Sequence, residues 1–306
     1  MNAPSTRRSR LILAFAAVYL IWGSTYLAMR IAVASMPPLL MASMRMLSAG
    51  GILLGLALVT GAARPGRAEW RSAIVIGALL FLGGNGAVVW SAQHAPSGLV
   101  AVMVGSVPLW LVVLEAIRPE GNRPRPITWL GVAVGLAGIA LLVGPGRMQG
   151  GIDPVSATVL VLGSLCWATG SLLSRRLASP KSPLVATALQ MLCGGVWLLA
   201  GGLALGEGAR FHPATITPAA WLSLAYLSVF GSIVAFTAYV WLLRNTTPAK
   251  AATYAYVNPI IALIIGWAFA GERLTLRASV AAVVIIGAVA LITSAGTKPR
   301  DEPEIA

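Results

Sequence analysis

Two short stripes of polar and aromatic side chains have the residue types and the spacing of a binding surface. In each stripe an indole is followed, at steps of four residues, by a hydroxyl and a guanidinium: Trp22, Tyr26, Arg30, and Trp167, Ser171, Arg175. This spacing places each set on one face of a helix. The second stripe repeats the first at an offset of 145 residues. We therefore predict that both stripes line one site for a small molecule.

Six further residues are candidates for the lining of such a site: Asn85, Trp90, Met103, Tyr239, Tyr254 and Asn258. Each has a structural alternative. Asn258 precedes Pro259 and could instead satisfy a carbonyl that this proline leaves without its usual donor. Asn85, flanked by glycines, could serve helix packing by a hydrogen bond across an interface. Met103 corresponds to Tyr254 at an offset of 151, and a flexible thioether suits a core as well as a cavity.

Three arginines are candidates for charge recognition or gating. Arg45 lies inside an apolar run, where a charge costs at least about 2.5 to 3.5 kcal/mol on insertion scales. It could extend to the membrane interface, or it could bind a substrate carboxylate or an acidic head group. Arg30 and Arg175 are either corresponding residues at two mouths of a pathway or ordinary positive flanks of their helices.

The sequence offers little for enzymatic chemistry. His94 and His212 are the two histidines, and no nucleophile or zinc-ligand spacing accompanies them. Cys166 and Cys193 both lie inside apolar runs, which argues against a metal cluster. No Lys follows a Gly, so a Walker A loop is absent from the sequence. We predict no enzyme, no metal and no cofactor.

The elements that must position these side chains are apolar helices. The chain of 306 residues is 58% hydrophobic and 10% charged, with a mean hydropathy of +0.83, against about 25% charged residues in a soluble domain. A bilayer core needs about 20 apolar residues per helix. Ten stretches qualify: Leu11–Arg30, Leu39–Thr60, Ser72–Trp90, Ser97–Ile117, Ile127–Val143, Pro154–Ser174, Pro183–Leu205, Pro218–Leu243, Pro248–Ala270 and Leu276–Ser294. We predict an all-α membrane protein with ten transmembrane helices.

The basic residues alternate between the two sides of this arrangement. Of 22 Lys and Arg residues, one lies in the second span and five lie in the connectors of one side, namely Arg30, Arg147, Arg210, Arg273 and Arg277. The remaining sixteen lie in the tails and in the connectors of the other side. Because cytoplasmic connectors hold the excess of Lys and Arg, we predict that both tails, 1–10 and 296–306, are cytoplasmic in an inner membrane. The scattered charge also disfavours a nucleic-acid partner.

The chain also repeats itself. Besides the two stripes, the fourth span begins near Pro96 and contains Pro108, while the ninth begins at Pro248 and contains Pro259. We predict two units of five helices, 11–144 and 154–295. Because five is odd, the units must have opposite orientations in the membrane. Such inverted repeats hold their substrate near the bilayer midplane between the two halves.

Four segments carry a resemblance to a known family: IWGSTYLAMRIAV at 21–33, GNGAVVWSAQHAPSGLVAVMVGSVPLW at 84–110, WLGVAVGLAGIALLVG at 129–144, and AATYAYVNPIIALIIGWAFAGERLT at 251–275. They resemble the EamA family of the drug/metabolite transporter superfamily. The GERLT motif has no counterpart in the first half, which reads RPEGNRPRP at 118–126. The resemblance implies ten helices in two inverted units and the export of amino acids or related metabolites.

Two alternatives to an amino-acid exporter stay open: an exporter of drugs or quaternary cations, and a membrane scaffold that transports nothing. Cations would need an acid or an aromatic cage. Of the nine Asp and Glu residues, Glu115 lies near a helix end and the others lie in connectors or the C-terminal tail. This distribution favours neutral or zwitterionic cargo, and it favours facilitated diffusion or exchange over a proton relay. The expected partners are a small-molecule substrate and the lipid bilayer.

Overall fold

The structure, a computed structural model, describes residues 4–118, 124–143, 151–246 and 253–295. These residues form ten main helices, which we number in chain order. They are α1 Pro4–Val33, α2 Pro38–Val59, α3 Arg67–Ser91, α4 Ser97–Ala116, α5 Pro126–Leu142, α6 Pro154–Leu173, α7 Pro183–Ala204, α8 218–245, α9 Tyr254–Ala270 and α10 Leu276–Ala295. Short helical turns at Glu207–Arg210 and Pro213–Thr215 lie between α7 and α8.

Eight of these helices are long and apolar enough to cross a membrane. The other two, α5 and α9, are also apolar but contain 17 residues each. At 1.5 Å per residue they are about 26 Å long, at the lower limit for a spanning helix. The prediction of an all-α membrane protein is confirmed for the described residues, with eight candidate spans and two shorter apolar helices.

Prolines in the first turn begin several helices, as the sequence predicts. α2, α5, α6, α7 and α8 all have a proline at one of their first two positions, where no backbone donor is lost. Asp153 also caps α6 by accepting the N–H of Ser156 at 2.9 Å. Two helices begin before their predicted spans, α1 at Pro4 and α3 at Arg67. Pro248, the predicted start of α9, lies outside the described residues.

Three helices are irregular at positions that the sequence did not predict. α3 contains a wide π-type turn at Ala78–Asn85, and α8 contains another at Leu227–Val234. Such turns occur often at functional sites. α4 is interrupted at Gly105, where a Cβ would lie 2.8 Å from the Cγ of Pro259 in α9. Pro108 contributes to this interruption because it has no N–H to donate to the carbonyl four residues earlier.

Helices from the part of the chain before residue 144 pack against helices from the part after residue 154. α2 packs along α7, and α5 packs along α10. α1 lies beside α8 and α9, while α3 lies beside α6 and α7. Glycines permit the closest approaches: a Cβ on Gly77 of α3 would lie 2.7 Å from the backbone nitrogen of Gly194 in α7. The two parts of the chain therefore form one helical bundle.

Buried carboxylates hold several connectors together at one end of the bundle, which we call the Glu272 end. Glu207, between α7 and α8, accepts the N–H of Leu40 at the start of α2 at 2.9 Å. Glu272, between α9 and α10, accepts the N–H of Ser97 at the start of α4 at 2.8 Å. The starts of α2 and α4 and the connectors after α7 and α9 therefore lie at this end.

Candidate functional site

Arg45 is buried inside the bundle, with 7% of its surface exposed. Its Nε donates to the Oγ of Ser232 in the wide turn of α8, at 2.9 Å. Its Nη1 lies 3.7 Å from the Sδ of Met29 in α1. The side chain therefore points toward the junction of α1, α2 and α8.

The charge of Arg45 has no carboxylate partner among the described residues. The ion pairs found there join Arg30 to Glu272 and Arg118 to Glu115. A buried arginine remains protonated, and an uncompensated charge inside a membrane protein is costly. Such a residue is rarely retained for stability alone, which makes the junction around Arg45 the leading candidate site.

Trp22 approaches the same wide turn of α8 from the α1 side. Its Nε1 donates to the backbone oxygen of Gly231 at 3.0 Å. A Cβ on Gly231 would lie 3.2 Å from Nη2 of Arg45 and 3.0 Å from Cγ2 of Thr25. A side chain at Gly231 would therefore crowd Thr25 and Arg45, and Gly231 lies between Trp22 and Arg45.

Trp22 belongs to an aromatic cluster, defined here as Trp22, Phe236, Tyr239 and Tyr254. The ring centroid of Trp22 lies 5.3 Å from that of Tyr239 and 5.0 Å from that of Tyr254. Tyr239 and Tyr254 are 5.4 Å apart and nearly perpendicular. Tyr26 lies within electrostatic range of both Arg45 and Tyr254. The structure therefore brings Trp22, Tyr239 and Tyr254 together, and it places Trp22 and Tyr26, also predicted from the sequence, near Arg45.

Hydroxyl groups surround this junction, and the sequence analysis missed them. Ser24 Oγ lies 2.6 Å from the hydroxyl of Tyr226. Ser48 Oγ donates to Ser228 Oγ at 3.3 Å. These contacts join α1 and α2 to α8. Small hydroxyl residues are common in apolar helices, so the sequence gives no signal that separates these from others.

Trp167 occupies a corresponding place beside α3. A Cβ on Gly84, in the wide turn of α3, would lie 2.7 Å from Cε3 of Trp167. The neighbouring ring is that of Phe81, at 6.4 Å and edge to face. Ser171 donates to the backbone oxygen of Trp167 at 2.7 Å. Thus both predicted tryptophans contact a glycine in a wide turn, although their surroundings differ.

Asn85 and Asn258 each have a buried side-chain oxygen without a hydrogen-bond partner in the described part of the chain. Asn258 is 6% exposed, and its backbone oxygen would lie 3.4 Å from a Cβ on Gly23, the residue after Trp22. Asn258 therefore lies against α1 close to the aromatic cluster. Asn85 ends the wide turn of α3, next to the glycine that contacts Trp167.

Three other predicted residues lie elsewhere. Trp90 is near the end of α3, with its ring 4.4 Å from that of His94. Met103 is 1% exposed and belongs to the main hydrophobic core. Arg175 is exposed just after α6, although it interacts electrostatically with Tyr239. A helical repeat predicts corresponding positions, but it does not predict equal roles.

Glu272 is a residue whose importance the sequence analysis missed. Its Oε1 accepts both the Oγ of Ser97, at 2.7 Å, and the backbone N–H of Ser97, and its Oε2 accepts the N–H of Gly98 at 3.1 Å. It also pairs with Arg30. Gly271, with φ +61°, turns the chain so that Glu272 folds back into the bundle. The signal was present in the GERLT motif, but a position in a connector suggested exposure.

The described residues thus form a bundle of apolar helices with a buried cation, Arg45, that has no carboxylate partner among them, which is the architecture of a membrane protein. Comparison with known proteins identifies it further. The model of the EamA-like transporter family matches residues 9–144 and again residues 155–294. The chain therefore belongs to the EamA-like transporter family, and the resemblance seen in the sequence is confirmed.

Several relatives are also named as transporters. The chain is 41% identical over 278 residues to the uncharacterized inner membrane transporter YedA of Escherichia coli strain K12, covering 90% of this chain and 88% of that protein. It is 27% identical over 292 residues to the uncharacterized transporter YvbV of Bacillus subtilis, covering 95% and 93% of the two chains. A crystal structure at 19% identity superposes with a TM-score of 0.62 over 94% of this chain and 97% of the other, which supports the fold.

Proposed function

We propose that this protein exports small metabolites, specifically aromatic or other neutral amino acids, across the inner membrane by alternating access. In this proposal the segments 11–144 and 154–295 are inverted five-helix repeats, both termini are cytoplasmic, and the pathway runs between the repeats. The observation that carries the proposal is the pair of matched contacts at the junction of the two halves, Trp22 against the wide turn of α8 and Trp167 against that of α3.

The matched contacts support a transport pathway because each crosses from one half to the other. α1 contacts α8, and α6 contacts α3, so each half contributes one tryptophan helix and one helix with a wide turn. An interface formed in this way suits rocking of the halves about a central site. The buried Arg45 and the aromatic cluster supply polar and apolar surfaces at that interface.

The Glu272 end supports alternating access in a second way. Glu272 joins the connector after α9 to the start of α4 and to Arg30 at the end of α1. With cytoplasmic termini, this end faces the periplasm. Opening toward the periplasm then requires these bonds to break, so that the Arg30–Glu272 pair acts as an outer gate.

Transport is tested with the purified full chain in proteoliposomes loaded with a labelled mixture of aromatic, branched and hydroxylated amino acids. We expect faster loss of a subset of these amino acids than from protein-free liposomes, and competition by the same subset from outside. Absence of any loss indicates a scaffold, and appearance of a new product indicates an enzyme. Reporter tags on the two termini test the topology, and tags on opposite faces would contradict the inverted repeat.

A further inference from the structure

We propose that Arg45 binds the carboxylate of the transported molecule, and that the substrates are therefore carboxylates with an apolar, preferably aromatic, side group. This inference rests on the proposed function and deepens it, since it names the chemical class that the site accepts. It starts from the geometry around Ser232 and Gly231 in the wide turn of α8.

The guanidinium of Arg45 has capacity for a ligand. It carries five N–H donors, and its described contacts to Ser232 and Met29 use two of them. The nearby polar side chains are hydroxyls and a phenol, and the ion pairs in the described ranges leave Arg45 out. A planar guanidinium with free donors matches a carboxylate, which accepts two parallel bonds.

The depth of Arg45 favours a substrate over a lipid head group. Arg45 is the eighth residue of α2, which places it about 10 Å along that helix from its start at Pro38. Met29, Ser232 and Gly231 enclose it from α1 and α8. A lipid phosphate stays at the interface, whereas a small carboxylate that enters between the helices reaches this depth.

The aromatic cluster indicates the rest of the substrate. Trp22 bonds to the backbone oxygen of Gly231, and Arg45 lies against the same residue. A small molecule with its carboxylate on Arg45 can therefore place an apolar group toward the ring of Trp22, which in turn contacts Tyr239 and Tyr254. Flat rings prefer edge-to-face or offset contacts with such surfaces, so an aromatic side group fits best.

Ligand binding is measured by the shift in unfolding temperature of the full chain in detergent, with three probes that share a phenyl group. L-phenylalanine and 3-phenylpropanoate carry a carboxylate, while L-phenylalaninamide does not. We expect both carboxylates to stabilise the wild type, with an apparent affinity at least tenfold higher for L-phenylalanine than for its amide. Arg45→Gln should abolish this difference, and Arg45→Lys should retain part of it because the charge remains.

Gln190→Leu is the matched control, since Gln190 is the eighth residue of α7. It should leave the preference for the carboxylate unchanged. The proposal is overturned if L-phenylalanine and its amide stabilise the wild type equally. It is also overturned if neither carboxylate stabilises the wild type, and neither result requires a variant. If Arg45→Gln does not fold, the wild-type comparison and Arg45→Lys still decide it.

The outcomes also separate this inference from the proposed function. Selective binding of carboxylates without any flux in proteoliposomes leaves the Arg45 site standing and removes the transporter proposal. The opposite outcome is flux of L-phenylalanine with the same ratio to the flux of its amide in the wild type and in Arg45→Gln. That outcome supports transport and removes the carboxylate site.

Discussion

Arg45 and Gln190 hold the same position in two helices that pack along each other, yet their surroundings differ. Arg45 reaches the wide turn of α8 and bonds to Ser232. Gln190 lies opposite Gly77 in α3, where a Cβ would be 2.9 Å from the glutamine backbone oxygen. The interface between α2 and α8 thus contains a buried cation. The interface between α3 and α7 is instead filled by closely packed backbone.

The two tryptophans show the same contrast. Trp22 has three aromatic neighbours, whereas the neighbouring ring for Trp167 is Phe81. The comparison teaches that a duplicated scaffold does not require duplicated chemistry. We infer that the scaffold provides the motion and that α1, α2, α8 and α9 provide most of the recognition.

The largest effect is expected for Arg45→Gln in transport. Loss of a charge-assisted hydrogen bond, worth about 1.5 to 3 kcal/mol, corresponds to a decrease in the initial efflux of a labelled aromatic amino acid of about tenfold or more. Gln190→Leu should change efflux less than twofold. Proteoliposome assays at equal protein density measure both. Equal decreases in efflux in the two variants would show that α2 and α7 contribute alike to transport, and that Arg45 has no special role.

A smaller effect is expected for the tryptophans. Trp22→Ala removes contacts with three rings and should reduce the preference for aromatic over aliphatic amino acids about fivefold, since aromatic pairs contribute about 0.5 to 1.5 kcal/mol each. Trp167→Ala should reduce the preference about twofold. Competition assays give these ratios, and immunoblots give the amount in the membrane. If both variants merely lower that amount, the tryptophans serve packing.

At the Glu272 end the expected effect is on stability rather than on transport. Glu272→Gln weakens the pair with Arg30, which is 40% exposed, and removes a negative charge from the start of α4. Together these changes should lower the free energy of unfolding by about 1 to 2 kcal/mol.

Glu207→Gln is the control for that prediction. Glu207 accepts two N–H groups at the start of α2, at 3.3 and 2.9 Å, but is in no ion pair of the described segments. It should therefore cost less than Glu272→Gln when unfolding is followed by heating in detergent. A larger loss for Glu207→Gln would remove the gate role given to Glu272 and Arg30.

Local patterns predicted the helices well and their contacts poorly. Four-residue spacing identified Trp22 and Tyr26, and both lie near Arg45. The repeat offset paired Met103 with Tyr254, but Met103 is in the core while Tyr254 joins the aromatic cluster. Glu272 lies in the five-residue connector 271–275, yet it is 8% exposed because Gly271 turns it inward. Burial depends on neighbours that are distant in sequence.

Hydropathy, periodicity and proline placement by themselves determined that this chain is a membrane protein of apolar helices, because each of these properties acts within one helix. The tertiary structure alone decided which polar groups meet. Arg45 and Ser232 are 187 residues apart, and Arg30 and Glu272 are 242 apart. Such pairs form because the tertiary fold brings distant segments together, and this packing cannot be read from local sequence.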